Sequence, residues 1–560
     1  MRKTTAYAAG LAAGLLLLAT GLIDGCGPGS EKHKTYKKNT AYGDTPDENI
    51  AKGEVLAAKY CQSCHLLPDP DLLNANSWKN GVLPAMGPRL GIFSYQYQTY
   101  PSSADDPDVG RAFYPASPLL SEQEWGYIID YYSSVSPDSL PAQQRQYRIG
   151  DGLPLFRVRT PSWRYPKPAT VLARMDTSRG VWYTSDALTG RTYMGDRNMK
   201  VTDSIRLRGP VTDLLLQKDS LLACDIGILT PTNAEAGLVE VLQTAGGKFK
   251  EGDSVRTLAG PLRRPVQMAA GDLNGDGLQD LVVCEFGYIK GALTWWENKG
   301  SGRYERHLLR DLPGAIRVYI QDYNHDGLPD IWAQFAQGDE GIFLYTNRGH
   351  GVFEEQTVLR FPPSYGSTYF ELDDFNQDGY PDILYTCGDN GDYSTVLKPY
   401  HGIYIFLNDG HNHFTKRWFF PMNGCYKAVA RDFDGDGDLD IAAIAYFADF
   451  KRQPEEGFVY LRNEGGWDFH PYTLPEGKLG RWITMDVGDF DGDGRPDLLL
   501  GNCSVGPGFL QSATDWKTGP PFLFLRNTGA AQNTGAVQNA AGAAALKTLK
   551  NQKTPPASGK

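Results

Sequence analysis

Two cysteines and a histidine near the N-terminus carry the most specific chemistry in the chain. Cys61, Cys64 and His65 form a Cys-x-x-Cys-His motif. Two thiols at this spacing can form thioethers with the vinyl groups of a porphyrin, and the histidine that follows can then ligate the iron. A zinc site would need a second Cys or His pair, and a redox-active Cys-x-x-Cys would belong to a βαβ unit. The sequence offers neither context, so the motif predicts covalent attachment of haem c.

The iron also needs a ligand on its opposite side. Residues 66–136 contain no histidine and a single methionine, Met86, in a Pro/Gly-rich stretch at 83–91. This composition predicts a loop that presents the thioether to the iron, and thioether ligation favours the ferrous state. The alternative is that Met86 fills the core and the sixth position is open or holds water.

Two helices are expected to hold these ligands in place. Residues 47–60 have acidic residues at their start and apolar residues at helical spacing, so a helix should deliver Cys61. Residues 121–135 begin with a Ser-x-x-Glu capping box and should form a second helix that packs against the first. An aromatic insertion at 93–118 is expected to cover a haem edge or to contact another domain. This layout resembles a small all-α c-type cytochrome domain, at 47–136.

A second motif recurs five times, at intervals of 50 to 58 residues. It offers oxygen ligands at positions 1, 3, 5 and 9 and glycine at position 6, which reproduces the first part of an EF-hand loop and implies Ca²⁺. A single Asp-rich turn is more often a solvated loop, but five copies in register favour about five calcium sites. The predicted ligands are Asp272, Asn274, Asp276 and Asp280; Asp322, Asn324, Asp326 and Asp330; Asp374, Asn376, Asp378 and Asp382; Asp432, Asp434, Asp436 and Asp440; and Asp489, Asp491, Asp493 and Asp497.

Apolar strand-like runs flank each of these loops, and the repeat length is typical of propeller blades. The repeats resemble the FG-GAP or VCBS-type family of integrin α propellers and bacterial exported proteins. The resemblance implies an all-β, seven-bladed, calcium-binding β-propeller at 153–529, with two degenerate blades upstream of the first calcium loop. The last repeat lacks a fourth strand, so we predict that residues 153–160 supply it and close the ring.

The first residues have the layout of an export signal. A basic start and an apolar run occupy 1–25, and Leu22 to Cys26 resembles a bacterial lipobox, with Cys26 as the lipidated residue. Asp24 departs from the usual lipobox, so a plain signal peptide or a single membrane anchor remains as an alternative. Residues 26–46 read as a tether, 137–152 as a linker and 530–560 as a disordered tail. The folded part is expected in the cell envelope, lipid-anchored in the periplasm or at the outer membrane.

The net charge and the basic residues indicate which partners the protein can bind, and the remaining cysteines indicate buried strands. The net charge of −11 argues against nucleic acid, and five bound Ca²⁺ ions would offset most of it. A basic propeller face is expected to bind an acidic or carbohydrate ligand. The alternative is that its basic residues only balance the acidic charge elsewhere in the chain. The residues of this face are Arg263, Arg264, Arg317, Lys427 and Arg481. Of the five further cysteines, four are expected in buried strands: Cys224, Cys284, Cys387 and Cys503. A disulfide between Cys387 and Cys425 is one option, and because five is an odd number at least one thiol stays unpaired.

Three functions are compatible with these features. The first is a haem c electron-transfer lipoprotein that serves a redox partner protein in the envelope and uses the propeller as a docking platform. The second is a dehydrogenase-like enzyme whose propeller oxidises a sugar or related substrate and passes electrons to the haem, although the sequence contains no Gly-x-Gly-x-x-Gly signature. The third is a surface adhesion or glycan-binding protein, which leaves the haem motif unexplained. The sequence favours the first.

Overall fold

The computed structural model describes residues 36–153, 155–164, 166–245, 248–250, 255–506 and 516–529. The predicted signal peptide, the lipidation site Cys26 and the predicted tail at 530–560 lie outside the described residues. The described residues from Lys38 onward form one compact unit. No helix among the described residues combines the length and the apolar character needed to cross a membrane.

The N-terminal part of this unit is a small helical domain at 47–136. Its helices are α1 (Asp47–Tyr60), α2 (Ala75–Ser77), α3 (Leu83–Met86) and α4 (Glu122–Val135), with a π-turn at Trp78–Val82 and 3₁₀ turns at Cys61–Ser63, Pro70–Leu72, Gly87–Leu90 and Arg111–Phe113. A two-stranded hairpin consists of β1 (Ser94–Tyr95) and β2 (Gln98–Thr99). Helices therefore dominate this domain, and both long helices fall where the sequence predicts them.

Helix α4 begins with the predicted capping box and packs closely against α1. The Ser121 hydroxyl accepts from the backbone N–H of Glu124, whose carboxylate accepts from the Ser121 backbone N–H at 2.8 Å. Gly53 of α1 lies against the backbone of Tyr127, and a Cβ at this position would collide with the Tyr127 carbonyl. The glycine therefore permits the close crossing of the two helices.

The rest of the described chain forms seven sheets. Blade 1 contains the strands β5 (Thr170–Asp176), β6 (Val181–Asp186), β7 (Arg191–Gly195) and β8 (Val201–Arg206). Blade 2 contains β9 (Val211–Leu216), β10 (Ser220–Asp225), β11 (Gly237–Ala245), β12 (Lys248–Phe249) and β13 (Val255–Leu262). Blade 3 contains β14 (Pro265–Gly271), β15 (Asp280–Glu285), β16 (Ala292–Asn298) and β17 (Tyr304–Arg310).

Blades 4 and 5 repeat the pattern of blade 3. Blade 4 contains β18 (Ala315–Gln321), β19 (Asp330–Phe335), β20 (Gly341–Asn347) and β21 (Phe353–Arg360). Blade 5 contains β22 (Ser367–Asp373), β23 (Asp382–Cys387), β24 (Gly402–Asn408) and β25 (Phe414–Pro421), and a 3₁₀ turn at Pro363–Tyr365 precedes it.

The last two blades take strands from the segment that follows the helical domain. Blade 6 contains β26 (Cys425–Arg431), β27 (Asp440–Ala445), β28 (Phe458–Asn463) and β29 (Phe469–Thr473), and β3 (Gly150–Asp151) joins its outer edge in parallel. Blade 7 contains β30 (Trp482–Gly488), β31 (Asp497–Asn502) and β32 (Phe522–Asn527), with β4 (Phe156–Arg159) as its fourth strand. Further 3₁₀ turns lie at Pro454–Gly457, Pro475–Leu479 and Trp516–Thr518.

The pairing of β4 with β32 is antiparallel and confirms the predicted closure of the ring. Phe156 and Leu155 are buried in the core shared by blades 6 and 7, so the closing segment is fixed by packing as well as by hydrogen bonds. The predicted linker at 137–152 joins the helical domain to the propeller and contacts the propeller along its length. Gln143 donates to the His401 carbonyl at 2.8 Å, Arg145 pairs with Glu456, and β3 extends blade 6.

The second and third strands of each blade form the core, because neighbouring blades cover both of their faces. All six residues of β15, β19, β23, β27 and β31 are buried. All five propeller cysteines are buried free thiols, which confirms the prediction for Cys224, Cys284, Cys387 and Cys503. Cys425, for which burial in a strand was not predicted, starts the inner strand β26. Cys387 and Cys425 are free as well, so the disulfide considered for them is not formed.

Candidate functional site

The Cys-x-x-Cys-His motif lies directly after α1, in and after the 3₁₀ turn at Cys61–Ser63. Cys61 and Cys64 are free thiols, and Cys64 is exposed. His65 Nδ1 lies 2.9 Å from the Leu66 carbonyl oxygen, which fixes Nδ1–H as the donor and leaves Nε2 for a metal. Burial lowers the pKa of His65, which favours the neutral imidazole that a metal requires. These features fit covalent haem with a histidine ligand.

Met86 is half-buried and ends α3. The predicted loop at 83–91 is wrong: helical turns run from Ala75 to Leu90. Pro84 and Pro88 lie where this run changes from one type of helical turn to the next, at the start of α3 and of the 3₁₀ turn at Gly87–Leu90. The helical run therefore sets the position of Met86 and its sulfur.

The helical domain lies on one face of the propeller. Asn233 donates to Asp106 at 2.8 Å, Lys290 donates to the Asp108 carbonyl at 3.0 Å, and the Tyr400 hydroxyl donates to the Leu72 carbonyl at 2.9 Å. These three propeller residues belong to loops that join second strands to third strands. Val109 and Tyr114 of the aromatic insertion pack against Ile289, so the insertion contacts the second domain, which is one of its two predicted roles.

A buried polar network stabilises the loop that Tyr400 belongs to. Lys398 donates to the side chain of Asn390 and to the Ser394 carbonyl, the latter at 3.2 Å. Burial lowers the pKa of Lys398 to about 8, and the carboxylate of Asp389 acts in the opposite direction. The network gives the loop a fixed shape against the helical domain.

The five Asp-rich loops join first strands to second strands and therefore lie on the opposite face. Position 6 of every loop is a glycine in the left-handed region, at φ between 81° and 98°. Position 4 is also left-handed, with glycine in three loops and with His325 and Gln377, both at φ 59°, in the other two. The predicted sharp turn is thus present, and in every loop the backbone is left-handed at both position 4 and position 6.

The carboxylates converge most closely in the last two loops. Ligand atoms of Asp432, Asp434 and Asp440 lie within 4.8 Å of one another, and so do those of three residues in the following loop, Asp489, Asp491 and Asp493. Within the described part of the chain, Asp434 Oδ1 is buried without a hydrogen-bond partner, and Asp491 Oδ1 is likewise unpartnered. Buried unpaired carboxylate oxygens fit a hard cation such as Ca²⁺.

In the first three loops, position 3 is an asparagine whose amide donates to the carboxylate at position 5. The distances are 3.2 Å from Asn274 to Asp276, 3.0 Å from Asn324 to Asp326 and 2.8 Å from Asn376 to Asp378. The amide oxygens of these residues accept backbone N–H bonds within the same loops. Asparagine thus organises these loops as well as offering an oxygen.

Position 9 is a fully buried aspartate that starts the second strand in all five loops. Asp382 accepts from the backbone N–H of Phe375 at 3.0 Å and from that of Asn408 at 2.9 Å. Burial raises the pKa of Asp382 to about 6 and that of Asp440 to about 7. The position therefore has a structural role in addition to the predicted role as a metal ligand.

The asparagine that partners position 9 was not predicted from the sequence. It ends the third strand, and its side-chain oxygen accepts from the backbone N–H of the glycine two residues later, at 2.9 to 3.1 Å. An Asn-x-Gly triplet in every repeat with an Asp-rich loop is the signal that could have revealed it. The residues are Asn298, Asn347, Asn408, Asn463 and Asn527.

The inner strands surround a central channel with a cavity of about 480 Å³. Each inner strand has a β-bulge at the same register, and one residue per blade follows the bulge. Together these residues form a ring, which we call the channel ring: Leu172, Asp213, Gln267, Arg317, Tyr369, Lys427 and Thr484.

Three of the five predicted basic residues line this channel: Arg264, Arg317 and Lys427. The other two do not belong to an open basic face. Arg263 is ion-paired with Glu235, and Arg481 is buried with its guanidinium 3.6 Å from the Tyr446 ring centroid. The basic site is thus a channel inside the ring of blades, and its mouth includes Phe286 and Asp389 on the face that bears the helical domain.

Comparison with protein families identifies the repeats. The FG-GAP-like repeat family matches residues 272–333 and 322–385, and the FG-GAP repeat family matches residues 427–461. The chain therefore contains FG-GAP repeats, and the molecule that they build is a seven-bladed β-propeller.

The relatives that this chain matches align with only part of it. Integrin alpha-PS5 of Drosophila melanogaster is 33% identical in an alignment 123 positions long that covers 18% of this chain and 12% of that protein. Cartilage acidic protein 1 of Mus musculus is 30% identical in an alignment 180 positions long that covers 30% of this chain and 26% of that protein. The chain thus spans about an eighth to a quarter of the length of these relatives. Among solved structures, the N-terminal domain of Nup159 aligns with a TM-score of 0.40 and 11% identity, over 69% of this chain and 98% of that one.

Proposed function

We propose that this protein is an exported, lipid-anchored electron carrier with haem c in its helical domain and a calcium-stabilised propeller as its docking or binding platform. The observation that carries the proposal is the geometry of Cys61, Cys64 and His65. Two free thiols, separated by two residues in the sequence, follow helix α1, and the next residue has its Nδ1 engaged by a carbonyl 2.9 Å away. The bound haem would supply one-electron redox chemistry.

The chain's own residues would hold and tune this group. Cys61 and Cys64 would bind it covalently, His65 Nε2 would ligate the iron, and Met86 at the end of α3 is proposed as the opposite ligand. The polar contacts of Asp106, Asp108 and Leu72 with the propeller support a fixed orientation of the haem domain. A redox partner protein in the envelope would then meet the haem in one orientation only.

The likeness of the repeat region to integrin α chains favours a binding role for the propeller. Calcium at the five loops, export of the chain and lipidation at Cys26 belong to the same proposal. An envelope location would provide the calcium, and it is the compartment in which haem c is attached. The alternative enzymatic function is favoured by one observation, that the mouth of the central channel lies on the face covered by the haem domain.

Production in a host with haem-attachment machinery tests the proposal. The denatured protein should retain haem absorbance, and the double variant Cys61→Ser/Cys64→Ser should lose it completely. The matched control is Cys503→Ser, which removes a buried propeller thiol and should leave the haem bound. Met86→Ala should keep the haem attached but abolish the sulfur-to-iron charge-transfer band. A wild-type protein without covalent haem would refute the proposal.

A second experiment separates the carrier from the enzyme. An anaerobic spectrum of the oxidised holoprotein is recorded before and after single sugars or alcohols are added, with dithionite as the positive control. An electron carrier should be reduced by dithionite and by none of the substrates. Reduction by one substrate alone would establish the enzymatic alternative.

A further inference from the structure

The cations of the channel ring stand around one aromatic side chain. The Arg317 guanidinium lies 5.0 Å from the Tyr369 ring centroid, and Lys427 Nζ lies 4.8 Å from the same centroid. The three residues come from blades 4, 5 and 6, which are neighbours. Both positive charges therefore act on the same part of the channel.

Neither cation forms an ion pair among the described residues within 4.0 Å, and Arg317 keeps an unused donor. Lys427 donates to the Met485 carbonyl at 2.6 Å, and Arg317 donates to the Tyr369 hydroxyl over a long distance of 3.5 Å. The Arg317 guanidinium also lies 4.7 Å from the Tyr319 ring centroid, and its Nε is buried without a partner in the described part of the chain. Arg317 lines the cavity, and a planar guanidinium offers paired N–H donors that can bind a carboxylate in a bidentate manner.

The other charges of the channel are largely balanced. Arg431 pairs with Glu371 at 2.9 Å, and Arg174 pairs with Asp486 at 3.8 Å. The lining has five cationic residues, Arg174, Arg264, Arg317, Lys427 and Arg431, against four carboxylates, Asp213, Glu371, Asp389 and Asp486. The excess of one positive charge suits a ligand with one negative charge better than a phosphate dianion.

Four of the seven residues at the bulges give part of the channel wall an apolar surface: Val171, Val266, Ile316 and Ile483. The other three carry hydroxyl groups: Thr212, Thr368 and Tyr426. The cavity of about 480 Å³ falls in the size range of about 300–1,000 Å³ that is typical of sites for small molecules. An apolar wall around a charged centre favours an organic body over a bare inorganic ion.

We infer that the central channel binds a small organic monocarboxylate, whose carboxylate pairs with Arg317 while Lys427 adds its charge and the bulge residues contact the body. The inference rests on the proposed function in one respect only, that the propeller is the binding part of the protein. It does not depend on haem.

Titration of the full-length haem protein with ¹³C-labelled acetate and ¹³C-labelled benzoate tests this site by NMR. The ¹³C resonances of both carboxylates should broaden on binding. Benzoate should bind more tightly than acetate, because its ring also contacts the apolar part of the wall. Arg317→Gln should lower the affinity for benzoate at least tenfold. Arg317→Lys keeps the positive charge but loses the paired donors of the guanidinium, so it should lower this affinity less. Lys427→Gln should weaken both carboxylates severalfold.

The matched control is Arg206→Gln, which removes an exposed arginine of blade 1 and should change neither affinity. Neutral benzamide should not bind. The inference is overturned if neither carboxylate broadens with the wild-type protein, if Arg317→Lys and Arg317→Gln both bind like the wild type, or if phosphate binds while both carboxylates do not. Because haem absorbance is recorded on the same samples, failure of this inference is distinguishable from failure of the haem proposal.

Discussion

The backbone N–H of Asn463 donates to Oδ1 of Asp440 at 2.8 Å, and this bond joins the end of the third strand of blade 6 to the start of its second strand. The same contact occurs in the other four calcium-type blades at 2.7 to 2.9 Å. Asp440 also accepts from the Tyr460 hydroxyl at 2.6 Å. A predicted metal ligand is therefore at the same time a buried acceptor for the blade.

Replacement of Asp440 by alanine should destabilise the propeller even when calcium is absent. The change leaves the N–H groups of Asn463 and Phe433 and the Tyr460 hydroxyl without their acceptor. Each unsatisfied buried group costs about 1–3 kcal/mol, so the loss should reach about 3 kcal/mol or more. Denaturant unfolding in EGTA measures it, with the exposed Asp311→Ala as control. A loss seen only in the presence of calcium would mean that Asp440 acts through the metal alone.

Removal of calcium should lower the melting temperature of the propeller and leave the haem spectrum nearly unchanged. Each site occupied at 100 times its Kd contributes about 2.7 kcal/mol to the stability of the folded state. The Asp-rich loops lie on the face opposite the helical domain, so loss of the metal should not reach the haem ligands. Calorimetry and visible spectra before and after EGTA measure both effects, and Mg²⁺ serves as the control cation. Equal melting curves with and without EGTA would contradict calcium binding.

The folded protein should be more stable with glycine at position 4 of an Asp-rich loop than with the non-glycine residues found there in two repeats. His325 has a φ of 59°, a left-handed conformation that costs a non-glycine residue about 1–2 kcal/mol. His325→Gly should therefore stabilise the protein by up to about 1 kcal/mol, after allowance for the greater entropy of glycine in the unfolded chain. The matched reverse change, Gly435→Ala, meets no atom within 4 Å and should destabilise through the backbone alone. Equal melting temperatures for both variants and the wild type would refute this account.

Acid should destabilise the protein partly through His401. Burial, reinforced by the charge of Lys398, holds the pKa of this histidine well below its ordinary value. The unfolded chain therefore binds a proton near pH 6.5 that the folded state does not bind, so stability falls as the pH drops below about 6.5, by up to about 1.4 kcal/mol per unit. Urea unfolding between pH 7 and pH 5 should show a smaller loss in His401→Gln than in the wild type.

His411→Gln serves as the control for this comparison, since 80% of the His411 side chain is exposed. It should follow the wild-type pH profile. If the His401 variant also follows that profile, the imidazole is not buried in its neutral form.

The repeats made most of the fold predictable, because each Asp-rich loop marks the junction of two strands and the intervals between loops set the blade size. The strand supplied by residues 156–159 was predictable as well, since the last repeat lacks a fourth strand. The shape of the channel was not. Arg263 and Arg264 are adjacent in sequence, yet one pairs with Glu235 and the other lines the channel, and that choice depends on the left-handed φ of 44° at Arg264.

Local composition also misled the prediction at Met86. Proline and glycine at 83–91 indicated a loop, whereas proline is compatible with the first turn of a helix and two short helical segments begin at these positions. The Asn-x-Gly triplets were visible in the sequence. Their asparagines bind the aspartate at position 9 only because the end of the third strand lies beside the start of the second, and the spacing of the repeats does not predict that distance.

The closing strand β4 sets an order of assembly for the whole chain. The segment that completes blade 7 precedes blade 1 in sequence, and it follows the helical domain directly. During synthesis β4 emerges before all the blades, and its partner β32 emerges after them, so the ring stays open until the last blade has appeared. The propeller therefore cannot close step by step, and a chain cut short anywhere before residue 522 cannot complete blade 7.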